Sequence, residues 1–416
     1  MKYLVLLGDG MADYPLDELS GKTPLEFART PNMDRIAGIG TLGLIDTIPR
    51  GYAPGSDVAN LTLLGYDPRL CYSGRGPLEA ASMGVVLEEG DVAFRCNLVT
   101  LSDSEDPVMK DFTAGHIGSE EARSIIESLQ RRLDTASLSF YPGVGYRHLL
   151  VWKQGIHSMK TTPPHDITGL RTGAYLPKGD GAAEILSLME RSRGILHDHP
   201  VNRARREQGK RQANAIWPWG QGRKPRMTSF KQKYRLQGGM ISAVDLLNGL
   251  GVSAGFRVIR VSGATGYIDT DYLGKARAAL AAVRDLDLVF VHVEAPDEMG
   301  HEGNVEGKIR AIEDFDEKVV GTVLKGMDSI DSFRLLVLSD HPTPISLKTH
   351  VADPSPFAVL SSETLENEGR GLPFGESSAR SRGRLVSPGH LLMDAFVGDW
   401  RKFVADSSKQ GQGPLR

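Results

Sequence analysis

Two pairs of a carboxylate and an imidazole are the residues of this sequence best suited to chemistry. One pair is Asp340-His341, and the other is Asp297 with His301, four residues apart. Carboxylate oxygen and imidazole nitrogen together are ligands for a divalent metal such as zinc or manganese. Either spacing alone is weak, because an aspartate and a histidine at such distances are commonly a solvated surface pair. Further evidence for a metal site must therefore come from the strands and helices that hold the two pairs.

Three aspartates follow apolar runs that are typical of buried strands. The runs are 3–8 before Asp9, 286–293 before Asp297 and 333–338 before Asp340. In open α/β sheets, ligands bind outside the carboxyl ends of the strands. We therefore expect the three carboxylates to meet at one edge of a sheet. His350, nine residues after His341, is either a further metal ligand or a surface histidine.

Ser56 is the candidate nucleophile. It lies in the stretch 54–60, Pro-Gly-Ser-Asp-Val-Ala-Asn, which follows a strand and a turn and opens a helix. The free N–H groups at a helix N-terminus bind anions, so a phosphoryl group on this hydroxyl would be stabilised. The motif alone favours the alternative, an N-cap serine. When the candidate metal ligands are considered as well, the nucleophile interpretation is favoured, because a metal lowers the pKa of a bound hydroxyl.

Composition excludes several classes of protein. The 416 residues carry a formal net charge of −3, so a basic nucleic-acid surface is not indicated and an anionic substrate needs a local basic site. Two cysteines, Cys71 and Cys96, form no disulfide framework and fit a reducing cytoplasm. No apolar run approaches the ~18 residues of a membrane span, and the N-terminus lacks a signal peptide pattern. We expect a cytoplasmic enzyme with no membrane or nucleic-acid partner.

Strand-like and helical segments alternate at both ends of the chain. The predicted strands are 2–8, 43–48, 256–262, 286–293 and 333–339, and the predicted helices are near 240–250, 270–284 and 305–325. This alternation predicts a mostly parallel sheet with helices on both faces. The middle of the chain has strand candidates at 92–101 and 146–152 and a helix at 119–133, separated by loops. We predict a discontinuous core domain, 1–95 and 236–416, with an inserted domain at 96–235.

The order of these motifs, Asp-Gly, Ser, Asp-x-x-x-His, Asp-His and His, resembles the alkaline phosphatase superfamily. Within it, the sequence resembles the archaeal-type cofactor-independent, or 2,3-bisphosphoglycerate-independent, phosphoglycerate mutases. The stretches that carry the resemblance are 8–11, 22–25, 30–34, 54–60, 74–77, 295–303 and 339–341. The resemblance covers nearly the whole chain. It implies an alkaline-phosphatase-like α/β core of three layers, αβα, with a smaller inserted α/β cap domain.

The resemblance also implies a set of site residues. Two divalent metals are expected, with Mn²⁺ favoured and Zn²⁺ or Mg²⁺ as alternatives. One metal would be held by Asp9, Ser56, Asp340 and His341, and the other by Asp297, His301 and His350. The cap domain would bind the substrate through Arg95, Asn97, Arg147, His165, Asp166, Asn214 and Trp219. Arginine suits this role because its planar guanidinium group binds phosphate or carboxylate with paired hydrogen bonds. For Trp219, packing in the core is the alternative interpretation.

The implied activity is the interconversion of 3-phosphoglycerate and 2-phosphoglycerate through a phosphoserine at Ser56. Asp57 or the pair His165-Asp166 would carry the proton, and closure of the cap would exclude water. One alternative is phosphoryl transfer to another alcohol, such as a homoserine kinase, although no P-loop or other nucleotide site is found. A phosphatase with the same serine and an inactive metal-binding scaffold are further alternatives. The partner is a small phosphorylated hydroxy acid, and an oligomer of identical chains is compatible with the sequence.

Overall fold

The chain divides into two compact units. The structure, a computed structural model, describes residues 1–133, 135–362 and 371–410. The first unit comprises 1–72 and 226–416, and the second comprises 73–225. Both junctions lie earlier in the chain than those predicted from the sequence. The strand Val92–Leu101 explains the first difference, since it crosses position 95–96 and pairs with other strands of the second unit along its length.

The strands are short and spread over the whole chain. In chain order they are β1 Lys2–Gly8, β2 Thr41–Ile45, β3 Val92–Leu101, β4 Met109–Asp111, β5 Leu138–Tyr141, β6 Arg147–Trp152, β7 Ala215–Arg223, β8 Gly238–Ile241, β9 Arg257–Val258, β10 Leu288–Val293, β11 Phe333–Leu338, β12 Ser355–Ser361 and β13 Leu385–Val386.

The helices alternate with these strands. In chain order they are α1 Pro24–Phe27, α2 Pro31–Ile39, α3 Ser56–Leu63, α4 Pro68–Cys71, α5 Arg75–Ser82, α6 Ser119–Leu133, α7 Ala182–His197, α8 Pro200–Glu207, α9 Phe230–Tyr234, α10 Asp245–Ser253, α11 Tyr272–Asp285, α12 Ala295–Glu302, α13 Val305–Asp314, α14 Gly321–Met327, α15 Glu376–Ser381, α16 Leu391–Val397 and α17 Trp400–Gln410. A π-helical stretch, Phe315–Val320, joins α13 to α14. None of the described helices combines the length and apolar character that crossing a membrane requires.

The first unit is built on an eight-stranded sheet in the order β13-β2-β12-β11-β1-β10-β8-β9. Only β12 runs against the others, pairing antiparallel with β11 and β2. Every residue of β10, β11 and β12 is buried, as expected for strands covered on both faces. The parallel strands β11, β1 and β10 are adjacent at the centre of the sheet, so their carboxyl ends lie at one edge.

Helices cover both faces of this sheet, which confirms the predicted α/β fold. On one face, Leu4 and Leu335 belong to an apolar cluster with residues of α2, α11, α13, the π-helical stretch and α14. On the other face, the ring of Tyr3 meets Phe396 of α16 edge to face, with 5.5 Å between the ring centres. There α10 approaches β8 so closely that a Cβ at Gly251 would lie 3.0 Å from the side chain of Met240.

Two predicted segments of the first unit were wrong in part. The helix predicted near 240–250 begins only at Asp245, because 238–241 forms strand β8 beside β10. The strand predicted at 256–262 is reduced to β9, two residues at the edge of the sheet.

The second unit contains an antiparallel sheet with its own core. Strand β3 pairs with β6 on one side and β7 on the other, β5 adds to β6, and β4 pairs with the end of β3. Pro218 has no N–H to donate, and it is tolerated in β7 because the only described partner of that strand is β3. The core includes Phe94, Trp217 and the apolar face of α6.

Candidate active site

Asp9, Asp340 and His341 meet at the carboxyl ends of β1 and β11, and we call them the first cluster. All three are fully buried. His341 Nε2 lies 3.5 Å from Asp9 Oδ1 and 3.5 Å from Asp340 Oδ2. Asp9 Oδ1 is buried and has no hydrogen-bond partner among the described residues. A buried carboxylate oxygen without a donor is costly unless a cation lies against it.

Hydrogen bonds hold the Asp340 carboxylate in place. The backbone N–H groups of Gly10 and His341 donate to Asp340 Oδ1 at 3.1 and 2.9 Å. Asn60 Nδ2 donates to Asp340 Oδ2 at 2.9 Å and also to the carbonyl oxygen of Ser56, at 2.9 Å. Asn60, which the sequence analysis did not assign, therefore ties the start of α3 to the first cluster.

Ser56 is the first residue of α3, and its hydroxyl faces the first cluster. Its Oγ lies 3.2 Å from His341 Nε2. Gly55 occupies the N-cap position and no side chain caps this end of the helix, so the N-cap interpretation of Ser56 is wrong. The serine hydroxyl thus lies beside the free N–H groups of the helix and beside a metal-type histidine.

Asp297, His301 and His350 form a second cluster. His301 Nε2 lies 3.2 Å from Asp297 Oδ2, and His350 Nε2 lies 3.3 Å from Asp297 Oδ1. Asp297 and His301 share a face of α12, as their four-residue spacing predicts. The ring of His350 packs against that of His341, with 4.2 Å between centres, so the two clusters adjoin. Thr343 bridges them, donating to Asp297 Oδ1 and lying 3.3 Å from His341 Nδ1.

The second cluster directs two imidazole nitrogens at one carboxylate. The Nε2 atoms of His301 and His350 both face Asp297, at 3.2 and 3.3 Å from its oxygens, and lie within hydrogen-bond distance of each other, at 2.8 Å. Bonds of about 2.0–2.2 Å in a tetrahedral site separate ligand atoms by about 3.4 Å, close to the separations around Asp297. Within each of the two clusters, the candidate ligand atoms lie within 4.8 Å of one another. Both therefore fit divalent metals.

Charge around the clusters favours a cation. Burial raises the pKa of Asp9 well above its usual range, and the nearby carboxylates of Asp340 and Glu294 add to the rise. Burial likewise raises the pKa of Glu294 to about 8. A bound metal ion would favour the ionised form of these carboxyl groups.

The pKa of Asp297 shifts in the opposite direction, because two histidines face its carboxylate. Burial acts to raise its pKa, but hydrogen bonds with His301 and His350 hold the pKa well below its usual range. For His301, burial acts to lower the pKa, and the bond to Asp297 overrides it and raises the pKa to about 9. In the metal-free protein a protonated His301 therefore pairs with the ionised Asp297 carboxylate.

The sequence analysis missed His292, which lies at the end of β10. Its Nε2 is 2.7 Å from Asp9 Oδ2 and 3.2 Å from Glu294 Oε2. Burial and the neighbouring Lys275 lower the pKa of His292 to about 3, so the ring is neutral. The signal was present, because His292 interrupts an otherwise apolar strand and Glu294 follows that strand, shortly before Asp297.

The second unit contains a basic and aromatic group, which we call the arginine cluster. Its members are Arg75, Glu79, Arg95, Asn97 and Trp219. Glu79 Oε1 accepts from Arg95 at 2.7 Å and from Arg75 at 3.1 Å. Both guanidinium groups lie over the Trp219 ring, at 5.7 Å for Arg75 and 5.1 Å for Arg95. Trp219 Nε1 donates to Asn97 Oδ1 at 3.0 Å.

His165 lies against the arginine cluster, since its ring is 5.4 Å from that of Trp219. His165 Nε2 is 3.5 Å from Asp166, and both side chains are exposed. Arg147 is connected to His165 through two aromatic rings, because its guanidinium lies over Tyr146 and the ring of Phe112 contacts both Tyr146 and His165. The predicted residues Arg95, Asn97, Arg147, His165 and Trp219 are thus linked, and the sequence analysis did not assign Arg75 or Glu79.

Asn214 has a different place. Its amide group accepts from Leu101 N at 2.8 Å and donates to Leu101 O at 2.8 Å, which extends the pairing of β3 with β7. Both ends of the amide are therefore used to hold strands together. We remove Asn214 from the predicted substrate-binding set.

A serine at a helix N-terminus beside clustered aspartate and histidine ligands, on a mostly parallel α/β core, defines a class of phosphoryl-transfer enzymes. A family model described as 2,3-bisphosphoglycerate-independent phosphoglycerate mutase matches residues 37–202. A Geobacter sulfurreducens protein named as a probable enzyme of this kind is 56% identical over 398 residues, 95% of this chain and 100% of the relative. A Methanosarcina barkeri enzyme of the same name is 55% identical and covers 91% of this chain and 95% of its own. The chain belongs to the 2,3-bisphosphoglycerate-independent phosphoglycerate mutase family.

Solved structures agree with this assignment. A cofactor-independent phosphoglycerate mutase from Thermoplasma acidophilum is 28% identical, with a TM-score of 0.63, and the match covers 95% of this chain and 99% of that one. A protein from Pyrococcus horikoshii is 29% identical, with a TM-score of 0.79, and the match covers 100% of this chain and 99% of that one. The family resemblance found in the sequence is confirmed.

Proposed function

We propose that this protein interconverts 3-phosphoglycerate and 2-phosphoglycerate without 2,3-bisphosphoglycerate, and that Ser56 carries the phosphoryl group between the two oxygens. The observation that carries the proposal is the Ser56 hydroxyl, which lies at the start of α3 and 3.2 Å from His341 Nε2. The chain also shares 53–56% identity over most of its length with relatives that bear this enzyme's name.

The first cluster together with Ser56 would hold one divalent metal, and the second cluster would hold another. Metals bound there would lower the pKa of the Ser56 hydroxyl and would neutralise charge on the phosphoryl group. We favour Mn²⁺ because it accepts both carboxylate oxygen and imidazole nitrogen, and Zn²⁺ and Mg²⁺ remain alternatives. The unpartnered Oδ1 of Asp9 supports a cation at the first cluster.

In the first step, Ser56 Oγ forms a bond to phosphorus, and the bond from phosphorus to O3 of 3-phosphoglycerate breaks. In the second step, O2 of the retained glycerate attacks phosphorus and the bond to Ser56 Oγ breaks. We assign the proton transfers to Asp57: it would take the Ser56 proton and give it to O3 as that oxygen leaves, and in the second step it would take the proton of O2 and return it to Ser56 Oγ. Its carboxylate is oriented by hydrogen bonds from Tyr72 Oη at 2.5 Å and Val58 N at 2.9 Å.

The arginine cluster, with Arg147 and His165, would bind the anionic substrate. Arg95 is almost fully buried, so its charge is poorly screened and pairs strongly with an anion. Glu79 orients both Arg75 and Arg95 through direct ion pairs. We therefore propose that the carboxylate or phosphate of phosphoglycerate is bound by these guanidinium groups.

Ser56→Ala tests the proposal. In purified protein supplied with Mn²⁺, we expect the variant to lose interconversion of the two phosphoglycerates by on the order of 10³-fold or more, because the covalent route is removed. Mass spectrometry of the wild type mixed with substrate should find a phosphorylated peptide that contains Ser56. Ser253→Ala is the matched control, since the hydroxyl of that helical serine donates to the carbonyl oxygen of Gly249 in its own helix, at 2.8 Å.

Three results would contradict the proposal. Full activity of Ser56→Ala would remove the phosphoserine route. Release of inorganic phosphate without isomerisation would indicate a phosphatase. Phosphorylation of homoserine with ATP in place of isomerisation would indicate a kinase.

A further inference from the structure

We propose that Ser242 and His292 position Asp9, so that the Asp9 carboxylate presents one chosen oxygen to the first cluster. We call these two side chains the relay. The inference rests on the proposed metal binding at the first cluster, and it assigns a role to residues outside both clusters.

The contact between His292 and Asp9 is a strong, buried hydrogen bond. His292 Nε2 lies 2.7 Å from Asp9 Oδ2, and both side chains are fully buried. A separation of 2.7–2.9 Å is typical of an N–H group donating to a carboxylate. The contact of the same nitrogen with Glu294 Oε2 is longer, at 3.2 Å, so the donated hydrogen points mainly to Asp9.

Ser242 determines which nitrogen of His292 carries the hydrogen. The backbone N–H of Val244 donates to Ser242 Oγ at 3.0 Å, which leaves the serine hydrogen free to donate. Ser242 Oγ lies 3.1 Å from His292 Nδ1. Nδ1 therefore accepts from the Ser242 hydroxyl, which places the N–H group of the ring on Nε2, facing Asp9 Oδ2.

Both members of the relay are fixed by neighbouring elements. Lys275 Nζ, from α11, donates to the carbonyl oxygen of His292 at 3.1 Å. Asn248 Nδ2, from α10, donates to the carbonyl oxygen of Ser242 at 3.3 Å. The relay therefore starts from rigid backbone and ends on a metal-type carboxylate.

The relay gives the two carboxylate oxygens of Asp9 different roles. Oδ2 accepts from His292, whereas Oδ1 has no hydrogen-bond partner among the residues that the structure describes and lies 3.5 Å from His341 Nε2. Oδ1 is therefore the oxygen available to a metal. Outer residues that orient a ligand in this way commonly change metal affinity by about 10–100-fold.

A third metal held by Asp9, His292 and Glu294 is the competing interpretation, since their ligand atoms lie within 4.8 Å of one another. The short distance from His292 to Asp9 favours a hydrogen bond instead. Metal-bound ligand atoms about 2.1 Å from a shared ion lie about 3 Å or more apart. The experiment below separates the two.

The test is a titration of the full-length, metal-free protein with Mn²⁺, read by the electron paramagnetic resonance signal of free Mn²⁺. We expect the wild type to bind two equivalents. In His292→Phe, which keeps the ring volume and removes both hydrogen bonds, one equivalent should weaken by about 10–100-fold and the other should not change. His292→Gln, which places an N–H group near the position of Nε2, should recover part of the loss.

The controls separate positioning from general damage. His148→Phe makes the same change at a buried histidine of the second unit and should leave both equivalents unchanged. If His292→Phe fails to fold, Ser242→Ala replaces it, because loss of the serine donor should weaken the same equivalent several-fold.

Each remaining outcome overturns the inference. Two unchanged equivalents in His292→Phe, or in Ser242→Ala where His292→Phe does not fold, would show that the relay does not orient Asp9. Equal weakening of both equivalents would indicate a general structural role. A third equivalent in the wild type that His292→Phe abolishes would make His292 a direct ligand. Absence of any Mn²⁺ binding by the wild type would instead remove the metal proposal itself.

Discussion

Gly10 occupies a place beside both clusters that no larger residue fits. Its φ is +59°, and a Cβ there would lie 2.5 Å from Asp297 Oδ1 and 2.6 Å from Thr343 Oγ1. Its N–H also donates to Asp340 Oδ1 at 3.1 Å. The glycine is therefore required both by its left-handed backbone and by the closeness of the ligand carboxylates.

We predict that Gly10→Ala weakens Mn²⁺ binding and lowers mutase activity at least about tenfold, because the new methyl group displaces Asp297. Gly21→Ala is the matched control, since Gly21 has φ +79° and no atom within 4 Å of an added Cβ. The control should lose only about 1 kcal/mol of stability, with activity retained. Equal activity of the two variants would contradict the prediction.

The pKa of His301 predicts how the metal-free protein responds to pH. Its folded pKa of about 9 lies above the unfolded value of 6.5, so the contact with Asp297 stabilises the fold fully below about pH 6.5. That contribution disappears as the pH rises through 9. Thermal unfolding of metal-free protein between pH 6 and 10 should show a falling midpoint, less steep in His301→Gln. A wild-type slope no steeper than that of the variant would contradict the assignment.

At the scale of elements, a buried ion pair joins α13 to the loop after β1. Lys308 Nζ lies 2.6 Å from Asp13 Oδ2, and both side chains are fully buried. The same ammonium group donates to the carbonyl oxygen of Thr343 at 2.9 Å. Since Thr343 donates to Asp297, α13 indirectly supports the second cluster.

We predict that Lys308→Met lowers the free energy of unfolding by about 3–5 kcal/mol, because the buried Asp13 carboxylate loses its cation and keeps only hydrogen bonds from backbone N–H groups such as those of Tyr14 and Ile345. Lys318→Met is the matched control in the following π-helical stretch. Its pair with Asp314, 2.8 Å long, is partly exposed, so the loss should stay within about 1 kcal/mol. Urea unfolding measures both, and similar losses would show that burial does not decide the effect.

At the scale of the whole molecule, all proposed metal ligands belong to the first unit, and the arginine cluster belongs to the second. Each unit has its own sheet and apolar core. A ligand that binds only the native state stabilises the part of the molecule that must be folded to hold it.

We therefore predict that Mn²⁺ at about 100 times its dissociation constant stabilises the first unit by about 2.7 kcal/mol for each site that it fills. Hydrogen exchange on the full chain should show slower exchange of the amides of β1, β10 and β11 when Mn²⁺ is added. The amides of β3, β6 and β7 serve as the internal control and should not change. Equal protection of both sets would contradict the assignment of the ligands to one unit.

Local patterns predicted much of the fold. The strands β1, β10 and β11 could be predicted because each is a nearly continuous apolar run, which is typical of a strand buried on both faces. Such a run is visible in neighbouring residues alone. Strand β8 was missed because its sequence, Gly-Gly-Met-Ile, has little strand preference of its own and pairs only through its position beside β10.

The sequence by itself determined which residue types stand at the ends of strands, and hence the family and the candidate ligands. Only the tertiary structure decided which of those residues meet. His292 reaches Asp9 across 283 positions of the chain and Lys308 reaches Asp13 across 295. Such contacts follow from the order of strands in the sheet, which no local periodicity encodes, because strand order depends on the packing of the whole core.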